Sequence, residues 1–124
     1  VHAHAFMLNL LNEQGREDCY RGCIALFDLF PKVRGIIAGS WFYDPAVTVI
    51  SPRVAYFSKT PLQHGGHVMF VEEGGQAAID AVATSPTRRK LYAEGKYVPK
   101  TYMLIWGRKQ MIAWAARQPR VAVA

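Results

Sequence analysis

Three times in this chain an aspartate or serine, both good helix caps, is followed at once by proline: Asp44-Pro45, Ser51-Pro52 and Ser85-Pro86. Proline at the first helical position has its φ already set and lacks an N–H that would be unpaired there. The residue before it takes one of the other free amides. Each pair therefore starts a helix and stops whatever precedes it. Pro31, Pro61 and Pro99 add further breaks, so the chain must be assembled from short pieces. No apolar run approaches the ~20 residues that cross a bilayer, and no leader pattern opens the sequence. The default reading is a soluble, cytoplasmic protein with no membrane partner.

Between the breaks the pieces alternate in type. Residues 1–11 are apolar, either a strand or the tail of a preceding element. Asn12 caps a helix running to about Phe30, with Glu13, Glu17 and Asp18 at its positive end. Its apolar face is Cys19, Tyr20, Cys23, Ile24, Phe27 and Phe30. Val33 to Tyr43 reads as a strand whose apolar run suits burial on both faces. Two short helices follow, from Asp44-Pro45 and from Ser51-Pro52 to about Lys59. His67 to Glu72 is a second strand, Gln76 to Thr84 an alanine-rich helix, and Ser85-Pro86 opens a helix that stops near Gly95. Lys100 to Trp106 is a third strand. Arg108 to Arg117 is a last helix with Met111, Ile112, Trp114 and Ala115 inward, and residues 118–124 are a loose tail.

That order predicts an α+β (or α/β) fold, a small sheet of about three or more strands with helices packed on it. With 51% apolar and 19% charged residues the composition is that of a chain with a core. The 124 residues make one domain, 1–124. Opening on Val1, it is either complete after loss of its initiator or the C-terminal part of a longer protein. So few strands leave room for a homodimer that extends or covers the sheet.

Chemically capable side chains crowd most densely at Ser40, Trp41, Phe42, Tyr43 and Asp44, where a strand gives way to a helix. Ligands of open α/β sheets sit in such places. The aromatics suit the wall of a small-molecule pocket and Ser40 and Asp44 its polar contacts; the competing reading is a core with a capping Asp44. Arg53, Tyr56, His64 and His67 are further ligand candidates, the histidines bracketing Gly65-Gly66 in a turn. Cys19 and Cys23 lie one helical turn apart and read as reduced, buried thiols. With His2 and His4 they do not match the spacing of a zinc module, so no metal is assigned. The esterase elbow, the zincin pair and the phosphate loop are missing, and no pattern names a cofactor.

Charge is unevenly spread. Residues 1–85 hold six cations and eight acids, residues 86–124 nine cations and one acid. Ser85, Thr87, Arg88, Arg89 and Lys90 put hydroxyls and cations at a helix start, with Lys96 and Arg108 further on, and suit an anionic ligand or nucleic acid. A capped helix with a solvated basic face explains the same residues.

The segments GSWFYDP (39–45), ISPRVAY (50–56), ATSPTRRKLYAEGKYVP (83–99) and WGRKQMIAWA (106–115) resemble a group of uncharacterised bacterial proteins. Those carry SWFYDP, ISPRLAY, TSPTRR-LY and WPR-x-LL-x-WA segments in that order; Gly107 stands where the group has proline. The resemblance covers roughly Asn12 to Ala115 and implies no activity. The element order is also similar to the second half of the GNAT acyltransferase fold, which would imply acyl-CoA, but that family's Arg/Gln-x-x-Gly-x-Gly/Ala loop is missing. The leading expectation is a small-molecule-binding domain with its pocket edged by Trp41, Tyr43, Asp44 and Arg53. The rivals are an anion or nucleic-acid module, a GNAT-like acyltransferase, and a structural or assembly protein.

Overall fold

The computed structural model describes residues 12–83 and 85–117. His2, His4, Thr84 and the expected tail at 118–124 lie outside them. The elements run α1 (Glu13–Phe27), β1 (Gly35–Ser40), a 3-10 turn (Trp41–Tyr43), α2 (Pro45–Ile50), a second 3-10 turn (Pro52–Val54), α3 (Tyr56–Gln63), β2 (His67–Glu73), α4 (Gln76–Ala83), α5 (Pro86–Ala93), β3 (Lys100–Gly107) and α6 (Arg108–Arg117). The sheet has the order β1-β3-β2 and is antiparallel throughout, an α+β fold. β2 carries one extra residue, Val71, between Phe70 opposite Tyr102 and Glu72 opposite Thr101, a bulge that bends the edge strand. Among the described residues no helix is long and apolar enough to cross a membrane.

Three of the four expected caps act as chemistry requires; Ser51 makes no capping bond, and Pro52 opens a 3-10 turn rather than an α-helix. Asn12 Oδ1 accepts from the Gly15 amide at 2.8 Å, Asp44 Oδ1 from Ala46 at 2.9 Å, and Ser85 Oγ from Arg88 at 3.2 Å. Pro61, expected to end a helix, sits inside α3 instead. Having no N–H, it leaves the Phe57 carbonyl without its helical donor. The Tyr20 hydroxyl donates to that carbonyl at 3.0 Å, so α1 repairs the defect in α3.

Helices cover one face of the sheet. The register puts Trp106 opposite Ile36, and Leu104 between Ala38 and Val68. Trp106 packs with Tyr20, Phe27, Met111 and Trp114, and Leu104 with Tyr43 and Phe57. A third cluster, Val47, Ala81 and Tyr97, joins α2 and α4 to the segment before β3. The other sheet face is left open by the described residues, with Ile37 69% exposed and Met69 also exposed. Burial of β1 on both faces is thus corrected: an antiparallel sheet needs only one covered face.

Three further expectations change. α1 ends at Phe27, and Phe30 is 56% exposed beyond it. Ile112 is exposed while Met111 and Trp114 are buried, because the inward stripe of α6 is narrower than the apolar sequence. Cys19 is exposed and Cys23 half-buried, neither in a disulfide. Burial, then the neighbouring Cys19 sulfur, push the Cys23 thiol pKa up.

Candidate functional site

At the end of β1 the chain enters the 3-10 turn that sets Trp41, Phe42 and Tyr43 in succession around one corner. Together with Ser40 these rings line a cavity of about 380 Å³. Two helices complete it: α1 supplies Arg16, and α4 supplies Gln76 and Asp80. The floor is backbone and small side chains of β1, with Thr101 from β3.

Arg16 is held in place by tyrosines. Its Nε donates to the Tyr20 hydroxyl at 3.0 Å and its Nη2 to the Tyr43 hydroxyl. Its guanidinium lies 5.2 Å from the Tyr20 ring centre and 5.3 Å from that of Phe57. Burial lowers its pKa, but the tyrosine oxygens outweigh burial and the net shift is upward. Burial also pushes the Tyr43 hydroxyl up to about 12, with Arg16 pulling the other way. At any physiological pH the pocket therefore offers a fixed cation beside a neutral phenol. Facing it from α4, Asp80 accepts from Gln76 Nε2 at 2.8 Å through one oxygen.

A buried polar cluster lies behind Trp41. Arg88, only 6% exposed, stacks on the Trp41 ring with Cζ 4.3 Å from its centre. Its Nε donates to the Ala81 carbonyl at the end of α4 and its Nη1 to Ser51 Oγ at 2.8 Å. The two Ser-Pro helix starts of the sequence thus meet through this arginine. Asp44 and Tyr97 are each 3% exposed. Asp44 Oδ2 and the Tyr97 hydroxyl find no hydrogen-bond partner among the described residues. Burial first, and the Asp44 charge second, push the Tyr97 hydroxyl up to about 12, while Arg88 pulls it down. The Arg88 pKa is lowered, chiefly by burial; Tyr97 opposes that and nearby Arg53 adds to it.

Of the ligand candidates, Ser40, Trp41 and Tyr43 line the cavity and Asp44 does not. Arg53 is exposed on the second 3-10 turn. Tyr56 stacks on Phe57 and joins the core, its pKa raised by burial. The histidines do not converge on the cavity. His64 ends α3, where its carbonyl accepts from Trp106 Nε1 at 2.9 Å, and His67 starts β2 opposite Ile105.

The basic candidates are dispersed and mostly occupied. Ser85 caps α5, and Arg88 is buried. Arg89 donates to the carbonyls of Val82 and Ala83, and Arg108 to those of Phe30, Pro31 and Val33. Lys96 pairs with Glu94 at 3.0 Å. Thr87 and Lys90 are exposed on α5. Arg89 thus supplies donors that the last carbonyls of α4 lack, while Arg108 serves the loop that follows α1.

Sequence reasoning missed Arg16, Gln76, Asp80 and Thr101 in the pocket, and Tyr97 behind it. One signal was present: Arg16 stands four residues before Tyr20 on the stripe that continues to Cys23 and Phe27, a cation on a buried face. Among the described residues no cluster of three or more metal-ligating side chains occurs. No family description, curated protein or solved structure matches the chain, so the meaning of this site rests on its geometry.

Proposed function

We propose that this protein binds a small molecule in the cavity between Arg16, the Ser40–Tyr43 corner and Asp80. The observation that carries this reading is a charge placed in advance. Arg16 is oriented by two tyrosine hydroxyls, while its remaining terminal nitrogen keeps its donors free among the described residues. A guanidinium fixed in this way binds a carboxylate or similar anion without losing further side-chain freedom. The Trp41 and Phe42 rings suit an apolar or planar ligand body, and the free oxygen of Asp80 suits an ammonium or amide donor. At about 380 Å³ the cavity lies in the range of small-ligand sites. The ligand class is a compact zwitterion or amphiphilic acid, such as an amino-acid-like metabolite with a flat side group.

Calorimetric titration with a panel of aromatic amino acids, their deaminated acids and their decarboxylated amines tests this. The acids and zwitterions should bind and the bare amines should not, and Arg16→Met should abolish binding while the protein stays folded. Binding that survives Arg16→Met, or that favours the amines, removes the reading.

A further inference from the structure

A second cavity, about 660 Å³, lies between the α1–β1 loop and the start of α6. Pro31 and Gly107 are among its walls, and its charged lining is Lys32, Arg34, Arg108 and Lys109, with no carboxylate. We propose that this cavity is a site for a compact polyphosphate group, two or three linked phosphates, distinct from the aromatic pocket.

The loop is built around one of its own cations. Arg108 Nη1 donates to the carbonyls of Phe30, Pro31 and Val33 at 3.3, 3.2 and 3.1 Å. Its amide donates to the Arg34 carbonyl at 2.6 Å, and its guanidinium lies 5.1 Å from the Phe27 ring centre. Those bonds turn the loop carbonyls toward Arg108 and fix the backbone that carries Lys32 and Arg34. Lys109 joins them from the first turn of α6, whose amides add positive potential. Among the described residues none of Lys32, Arg34, Arg108 and Lys109 is in an ion pair. Like charges gathered without an acid repel one another and weaken the fold that holds them; a bound polyanion reverses the sign. Four cations on one cavity match a dense, multiply charged anion better than a single phosphate. An extended nucleic-acid backbone would instead spread its contacts along a groove.

Titration of the chain with inorganic tripolyphosphate, pyrophosphate, orthophosphate, a short single-stranded oligonucleotide and anionic lipid vesicles tests the assignment. Tripolyphosphate should bind one site at least about tenfold tighter than orthophosphate, weakening as salt rises. Each exposed cation removed should cost on the order of tenfold, so Lys32→Ala/Lys109→Ala should lose about a hundredfold. The same variant should melt no lower than the parent without ligand, because repulsion has been removed. Lys90→Ala, on α5, should bind unchanged. Four results overturn the proposal: no tripolyphosphate binding, equal affinity in the double variant, equal loss in Lys90→Ala, or tighter binding of the oligonucleotide or vesicles than of tripolyphosphate.

Discussion

Arg88 brings a charge to a place where 6% of its surface meets solvent, and what surrounds it fixes what its removal costs. Arg88→Met frees the buried Ala81 carbonyl and Ser51 Oγ and removes the cation stacked on Trp41. We expect about 2 kcal/mol of lost stability in denaturant unfolding. Tyr97 behaves oppositely. Its hydroxyl is already without a partner, so Tyr97→Phe leaves nothing newly unpaired and should melt at or above the parent temperature. Tyr43 and Tyr97 also set an alkaline limit. Both are raised from 10.0 to about 12, so the native state holds protons that the unfolded chain releases first. Their contribution is whole below pH 10 and falls as pH rises toward 12. Urea midpoints measured across that window should drop steeply, and less steeply in Tyr43→Phe.

Among the elements, the corner between β1, β3 and α6 is the least forgiving. Gly35 has φ +154°, and a Cβ there would collide with the Trp106 carbonyl oxygen and lie only 2.9 Å from the Gly107 Cα. Gly35→Ala should cost about 3 kcal/mol, read as a lowered melting temperature. Element type and order were legible because caps and prolines act locally: Asp44-Pro45 and Ser85-Pro86 start helices whatever surrounds them. The strand ends were less so, since Trp41 to Tyr43 are as apolar as a strand but close into a turn through the Trp41 carbonyl, which accepts from the Asp44 amide at 3.2 Å. The aromatic corner of the site was visible as composition. Its charged half was not, because Arg16 and Asp80 reach the cavity only through packing of helices far apart in sequence. Likewise the cations of 86–124 read in sequence as one surface, whereas Arg88, Arg89 and Arg108 are bound to carbonyls.

For the molecule as a whole, helices on one side of a three-stranded sheet leave Ile37 and Met69 on the other side in solvent among the described residues. Ile37→Lys should shift the unfolding free energy of the isolated chain by no more than about 0.5 kcal/mol. A larger loss that grows with protein concentration would show a second copy on that face. The order β1-β3-β2 also bears on how the chain is made. β3 is the middle strand yet the last of the three in sequence, and Ile36 must wait for Trp106 to find its partner. On a ribosome, neither edge strand can pair natively until about residue 107 has left the exit tunnel. Up to that moment two unpaired strands are presented to the cell, so synthesis of this protein should lean on chaperones early, and ribosome-bound chains stalled before β3 should be protease-sensitive throughout.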